Sequence, residues 1–268
     1  KQAKVIHLEL DPAEINKNVK ATVAVQGDCR ESLAMLTDSI QAKKHGDWMA
    51  KFRELEQLEK SSVVQHDLTP TKIGLTMGEV IHLINQYKAD DAVLVTDVGQ
   101  HQMIAWRYFN YKKPRTQVTS GGLGTMGFAL PAALGAQLYD YSRQVICVAG
   151  DGGIQMTIQE LGTIKQTKAP VKIVLLNNNY LGMVRQWQQM FFDKRYSFTE
   201  LDNPDFVKLS EAYGIKAQKV VERGDLKEAI EDMLIHDGPY FLEVVVEKED
   251  NVFPMIATGC SVEEVRLS

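Results

Sequence analysis

Residues 144–179 read QVICVAGDGGIQMTIQELGTIKQTKAPVKIVLLNNN. An apolar run from Gln144 to Ala149 ends in Gly150-Asp151-Gly152-Gly153, and a second run, Val171 to Leu176, ends in Asn177-Asn178-Asn179-Tyr180. Ile154 to Thr167 between them reads as a helix. The order strand, turn, helix, strand, turn is the unit of a parallel sheet, and unbroken apolar strands fit a sheet covered on both faces. A helical crossover between parallel strands brings both turns to one sheet edge, where open α/β sheets bind ligands. Asp151 and Asn178 then become neighbours in space. A carboxylate and an amide carbonyl are hard oxygen donors that suit Mg²⁺, which completes its octahedron with phosphate oxygens and water. The glycines at 150, 152 and 153 let backbone approach a phosphate, and a helix starting near Ile154 offers free N–H groups and a positive end. The expectation is a metal–diphosphate site. Taken singly, GDG is a tight turn and an Asn run is a loop; their placement on successive strand ends carries the reading.

The alternation continues on both sides. Thr76 to Glu79 fits a capping box ahead of a helix to about Lys88, and Ala92 to Thr96 is a strand ending in Asp97-Val98-Gly99-Gln100. SGGLGTMG, Ser120 to Gly127, opens an apolar helix through Leu138. Helices fit Asp205–Tyr213 and Asp225–Ile235; strands fit Ile215–Val221 and Phe241–Val246. The class is α/β, a mostly parallel sheet flanked by helices. Upstream, Val5–Leu10 and Ala21–Val25 read as strands and Glu31–Ile40 as a helix, a second α/β segment. Residues 41–75 look polar and irregular, a charged helix followed by breaks at Ser61-Ser62 and Thr69-Pro70-Thr71. A boundary there gives domains 1–66 and 67–268. Read alone, His101 is structural, and Met183 and Trp187, at i and i+4, form one apolar helix face packed on the core.

Composition sets the class without naming a function. With 268 residues the chain can bury roughly 75 % of its unfolded surface, and at 44 % hydrophobic and 24 % charged it is neither disordered nor fibrous. A formal net charge of −5 gives no electrostatic reason to expect nucleic acid or an anionic membrane as partner. Cys29, Cys147 and Cys260 lack metal-type spacing and suit a reducing compartment. No apolar run approaches the roughly 20 residues of a membrane span. The opening KQAKVIHLELDP, without an initiator Met, is expected to belong to a longer chain, with any targeting segment upstream.

GDGGIQM followed by NNNYLGMVRQWQ resembles the signature of thiamine diphosphate-dependent enzymes. The fuller string, with DVGQHQM (97–103), TSGGLGTMGFALPAALGA (119–136), QWQQMFF (186–192) and DNVFPM (250–255), resembles the acetohydroxyacid synthase (acetolactate synthase) catalytic-subunit family from Val5 to about Met255. GDG with NN marks the cofactor class; LGMVRQWQ is more specific to this family. The resemblance implies the thiamine diphosphate-binding fold for 67–268, and for 1–66 the end of a central FAD-binding domain plus a linker, with Glu9 and Asp28 bounding an FAD-contacting segment.

The resemblance also implies roles. Asp151, Asn178 and the Tyr180 main-chain carbonyl would be the Mg²⁺ ligands. Gly99, Gln100 and His101 would contact the diphosphate, with Gly152 and Gly153 donating backbone N–H groups. Gly124 would accept from the aminopyrimidine, Met126 would hold the cofactor bent, and Met156 would stand beside the thiazolium. Met183 and Trp187 would shape the substrate pocket. The commoner GDGSF appears as GDGGI, with Gly153 in place of Ser, and a small effect on the diphosphate site is expected. The family's activating glutamate lies in an amino-terminal domain without counterpart here, so this chain alone is expected to be inactive.

The implied activity is a transferase reaction of branched-chain amino-acid biosynthesis. Pyruvate is decarboxylated on thiamine diphosphate and the hydroxyethyl unit is ligated to a second pyruvate or 2-ketobutyrate. FAD is implied as a structural flavin. A homo-oligomer, a small regulatory subunit and, in a bacterium, a cytoplasmic location are expected. The alternatives are another thiamine diphosphate-dependent 2-keto acid decarboxylase, oxidase or carboligase, and a non-catalytic cofactor-binding module.

Overall fold

The computed structural model describes residues 3–70 and 73–268. The chain forms two compact units, Lys1–Glu54 and Leu55–Ser268. The first contains β1 (Ile6–Glu9) and β2 (Val23–Gln26), which pair in parallel with Glu9 opposite Gln26. After them comes α1 (Cys29–Ser39), whose first turn is capped by the Asp28 carboxylate accepting from the N–H groups of Arg30 and Glu31. α2 (Gly46–Glu59) follows, and neither helix contains a buried residue. The break expected at Ser61-Ser62 does not occur. The backbone stays helical through a wide π turn at Lys60–Val64 into α3 (Gln65–Leu68). Ser61 Oγ donates back to the Leu58 carbonyl at 3.0 Å, so its hydroxyl is satisfied without leaving the helix. Of the second expected break, Thr71 lies outside the described residues.

The second unit is a three-layer sandwich. Its elements run α4 (Met77–Tyr87), β3 (Val93–Thr96), α5 (Gln100–Tyr108), β4 (Gln117–Thr119), α6 (Ala129–Tyr139), β5 (Val145–Gly150), α7 (Asp151–Ile154), α8 (Glu160–Thr167), β6 (Lys172–Asn177), α9 (Gly182–Phe191), α10 (Phe206–Ala212), β7 (Lys216–Val220), α11 (Arg223–Ile235) and β8 (Tyr240–Val245). The expected capping box is present: Thr76 Oγ1 accepts from the Glu79 N–H, and the Glu79 carboxylate from the Thr76 N–H.

The six strands are parallel throughout, in the order β4-β3-β5-β6-β8-β7. Side chains alternate between faces with period two. Leu94, Ile146, Val148, Val174 and Leu176 pack in one core with α4, α5 and α11; Val95, Val145, Cys147, Ile173 and Leu175 pack in the other with α6 and α8. The chain leaves β3 for β4 on one side and returns to β5 on the other. The crevice between the carboxyl ends of β3 and β5 is thus the topological switch point, the usual ligand site of such sheets.

One expected element is divided. The helix expected over Ile154–Thr167 is a single turn, α7, and then α8 from Glu160. Between them Gln155 Nε2 donates to the Asp151 carbonyl at 2.9 Å and Thr157 Oγ1 to the Gly127 carbonyl at 2.8 Å, which draws the chain out of helical register. Among the described residues no helix is long and apolar enough to cross a membrane.

Candidate functional site

The carboxyl ends of β3, β5 and β6 open on one cleft. Its β5 wall is Gly150 to Gly153, its β3 wall Val98 to His101, and its β6 wall Asn178 and Tyr180 to Val184. Gly150 stands opposite Leu176 in register, which brings the turns after β5 and β6 level with each other.

Asp151 is buried, with only 1 % of its surface exposed. Its Oδ2 accepts from Asn203 Nδ2 at 2.7 Å, and the Gly152 N–H lies 3.2 Å from Oδ1. Burial pushes its carboxyl up to about 6, against the opposing pull of Asn203 and nearby backbone N–H groups. Asn178 is held at both ends: its Oδ1 accepts from the Tyr180 N–H at 3.1 Å and its Nδ2 donates to Gln100 Oε1 at 3.4 Å. Asn179 takes a left-handed conformation, φ 56°, which asparagine enters at lower cost than most residues. That turn brings Tyr180 to the cleft wall.

Two glycines are required by close approach. A Cβ on Gly150 would stand 2.7 Å from His101 Nδ1, and one on Gly153 would stand 1.7 Å from Asp97 Oδ2. The Nδ1–Cε1 side of His101 therefore packs directly against the β5 turn, and Asp97 fills the space beneath Gly153. The Asp97 Oδ1 faces the first N–H of α6, from Ala129, at 3.4 Å, and burial raises its carboxyl above the ordinary range.

His101 is pushed down to about 4 by burial and is a neutral imidazole at pH 7. Its ordinary value is 6.5, so the unfolded chain takes up the proton first. The stability owed to His101 is full above about 6.5 and is lost as pH falls toward 4, by up to about 1.4 kcal/mol per pH unit. Asp151 works the other way between its ordinary 3.8 and about 6, because there the folded chain takes up the proton first and gains stability on acidification. We expect His101→Gln to lose less stability than wild type between pH 6.5 and 4, measured by urea unfolding; parallel profiles would contradict the assignment.

Ten of the site residues expected from the sequence line this cleft: Gly99, Gln100, His101, Met126, Asp151, Gly152, Gly153, Asn178, Tyr180 and Met183. Gly124, Met156 and Trp187 do not. Gly124 has φ +62°, and a Cβ on it would stand 3.9 Å from Val98; Met156 is half exposed; Trp187 is 37 % exposed and packs on Phe191 with ring centroids 4.9 Å apart. Met183 and Trp187 therefore do not share one buried face, and only Met183 packs against the core. Because α7 is one turn long, the expected long helix does not present its end to the site. The backbone N–H groups of the 150–153 turn remain. In the first unit Glu9 accepts from the N–H groups of Leu10 and Asp11 and lines a shallow groove with Val5, Ile6 and His7, whereas Asp28 caps α1.

Other residues of the site escaped the sequence reading. Asn203 sits in the loop before α10 and bonds Asp151. Gln186 on α9 accepts from Gln100 Nε2 at 2.9 Å and bonds both the N–H and the carbonyl of Val252. Arg185, fully buried, donates to the Asp250 carbonyl at 2.6 Å and to Asn251 Oδ1 at 3.0 Å. The 250–252 segment is thereby tied to α9 and α5. An isolated amide carries no spacing signal; Arg185 and Gln186 lie within the string LGMVRQWQ, which by itself gives them no role.

The family model described as the thiamine pyrophosphate enzyme, C-terminal TPP binding domain, matches residues 97–244, from Asp97 at the end of β3 into β8. The chain belongs to this family. Thiamine pyrophosphate is another name for thiamine diphosphate, and the match covers all three strand ends of the cleft. The domain is also similar to acetolactate synthase large subunits. It is 44 % identical over 264 residues to isozyme 2 of Escherichia coli (strain K12), covering 98 % of this chain and 47 % of the relative. It is 38 % identical to the probable acetolactate synthase large subunit of Methanocaldococcus jannaschii, covering 96 % and 44 %, and 39 % identical to acetolactate synthase 1, chloroplastic, of Nicotiana tabacum, covering 98 % and 41 %. The chain thus spans less than half the length of these relatives.

The donor set of this thiamine pyrophosphate enzyme domain fits a small hard cation bound with a diphosphate. Among the described residues no three His, Cys, Asp or Glu side chains converge. One carboxylate, one amide and backbone carbonyls are enough only where substrate or cofactor oxygens supply the rest, the usual arrangement for Mg²⁺. A cation beside Asp151 would also offset the cost of burying its charge.

Proposed function

We propose that the protein is an acetolactate synthase large subunit, which joins pyruvate, after loss of CO₂, to a second pyruvate or to 2-ketobutyrate. The observation that carries the proposal is the meeting of Asp151, Asn178 and the 99–101 loop in one cleft of a chain 36–44 % identical to acetolactate synthases. Asp151 Oδ1, Asn178 and the Tyr180 carbonyl would hold Mg²⁺. The N–H groups of Gly152 and Gly153 would meet the diphosphate, with Gly99, Gln100 and His101 on its other side. When bound, thiamine diphosphate supplies a nucleophilic carbon and an electron sink. This chain's residues orient that group and exclude water. Met126 and Met183 form apolar walls, and the neutral His101 adds no charge to the cleft floor.

Further parts of the proposal concern the remaining sites. Gly124 would receive the aminopyrimidine, Met156 would stand beside the thiazolium, and Trp187 would border the second 2-keto acid. Residues 1–66 would belong to an FAD-binding domain and its linker. Glu9 and Asp28, at the carboxyl ends of the parallel strands β1 and β2, support that placement. A homo-oligomer, a small regulatory subunit, a place in branched-chain amino-acid biosynthesis and a cytoplasmic location in a bacterium complete the reading.

Product analysis of the full-length protein tests it. With pyruvate alone we expect 2-acetolactate, and with added 2-ketobutyrate also 2-aceto-2-hydroxybutyrate. Trp187→Ala should lower the share of the larger product severalfold, since one methylene is worth about 1–3 kcal/mol, while leaving thiamine diphosphate affinity within about threefold. Acetaldehyde or acetate as the sole product would instead assign a decarboxylase or oxidase.

A further inference from the structure

Asp151 is joined to a buried glutamate on the far side of β6 by a chain of side-chain amides. Asp151 Oδ2 accepts from Asn203 Nδ2 at 2.7 Å, and the same nitrogen donates to Asn177 Oδ1 at 3.2 Å. Asn177 Nδ2 donates to Glu243 Oε1 at 2.8 Å, and Lys219 Nζ reaches that oxygen at 2.9 Å. Asn203 Oδ1 in turn accepts from Gln155 Nε2 at 3.0 Å. Asp151, Asn177 and Glu243 are each at most 3 % exposed.

The chemistry gives this chain a direction. Ionised carboxylates accept only, and a primary amide offers two N–H donors and one carbonyl. Glu243 accepts from the Asn177 NH₂, and the Asn179 N–H donates to the Asn177 carbonyl at 3.0 Å; together they turn that carbonyl to Asn203. Asn203 must answer with its NH₂, whose second hydrogen then points at Asp151. The sense of each amide is fixed by the two carboxylates and by the donors beside the chain, the Asn179 N–H on Asn177 Oδ1 and Gln155 Nε2 on Asn203 Oδ1. Asp151 Oδ2 is engaged and held in place by Asn203, while Oδ1 accepts from the Gly152 N–H at 3.2 Å in a residue that lines the cleft.

We infer that Asn203 and, through Asn177, Glu243 are positioning residues that fix the Asp151 carboxylate in the one orientation an octahedral Mg²⁺ accepts. The inference rests on the proposed Mg²⁺ role of Asp151. Mg²⁺ demands near-ideal octahedral geometry, whereas Ca²⁺ tolerates irregular coordination, so loss of orientation costs Mg²⁺ more than Ca²⁺. Mere damage to the fold costs both alike.

The test titrates Mg²⁺ and, separately, Ca²⁺ into the full-length protein at saturating thiamine diphosphate, read by calorimetry. For Asn203→Ala we expect the Mg²⁺ Kd to rise at least tenfold, within the 10–100-fold typical of outer-shell ligand partners, and the Ca²⁺ Kd by less than threefold. Glu243→Leu should move the same ratio in the same direction by a smaller factor. A Mg²⁺ Kd within twofold of wild type in Asn203→Ala, or equal losses for both ions, overturns the inference while a dead Asp151→Ala control upholds the metal assignment. A wild type that takes up thiamine diphosphate equally well in EDTA overturns the metal assignment and the inference with it.

Discussion

Asp151→Ala should abolish the Mg²⁺-dependent stabilisation by thiamine diphosphate. In wild type, cofactor at 100 times its Kd adds about 2.7 kcal/mol. That raises Tm by several degrees, at about 2–4 °C per kcal/mol for a domain of this size. The variant should show no Mg²⁺-dependent rise; a 100-fold fall in cofactor affinity would still leave about 0.4 kcal/mol at that concentration, so the fall should exceed about 100-fold. The empty protein should behave differently. Burial already raises the Asp151 carboxyl to about 6, so the charge is held at a cost in the absence of a cation. Removing it costs the bonds from Asn203 and Gly152 but relieves that burial. The Tm of the empty variant should therefore stay close to wild type, which separates loss of binding from loss of fold. A large fall in the empty protein would show that Asp151 is a structural residue instead.

The second large effect is on stability. Gly153→Ser places a Cβ where Asp97 Oδ2 now lies, at 1.7 Å, and the carboxylate must move. It has little room, because Asp97 is 1 % exposed and its other oxygen faces the start of α6. Overpacking of this kind costs about 1–3 kcal/mol. The substitution introduces the residue that the commoner form of the motif carries, so its harm here comes from the local packing rather than from the chemistry of serine. Adding Asp97→Ala frees the space, and the double variant should be more stable than the sum of the two single effects predicts. Chemical denaturation of the four proteins measures the coupling. Additive losses would show that the two positions do not contact.

The α/β class was legible because β5 is an apolar run and β6 carries the apolar run Ile173–Leu176 after Lys172, each closed by turn residues. Asp151 and Asn178 were legible for the same reason: each follows a strand whose end is obvious. What lay beyond direct reading depends on side chains crossing between elements. The division of α7 from α8 comes from Gln155 and Thr157 bonding to the Asp151 and Gly127 carbonyls, and nothing in 154–167 alone announces that. The i, i+4 spacing of Met183 and Trp187 suggested one buried face. Only the packing of α9 shows that Met183 faces the cleft and Trp187 stays partly in solvent. Asn203 and Gln186 act through single amide bonds to residues far away in sequence, and such bonds leave no periodicity. The charged helix expected ahead of the 66/67 boundary is present as α2, but the break expected after it at Ser61-Ser62 is bridged by helical backbone to Leu68.

The measurement that bears most directly on the site is anomalous diffraction from crystals grown with thiamine diphosphate and Mn²⁺ in place of Mg²⁺. The account predicts one metal peak bounded by the Asp151 carboxylate, the Asn178 side-chain oxygen and the Tyr180 carbonyl, at distances near the roughly 2.0–2.1 Å of Mg²⁺ sites. The diphosphate should complete the shell against the 150–153 turn. A metal peak away from Asp151 and Asn178, or a cofactor whose diphosphate lies outside the β3–β5 crevice, would contradict it.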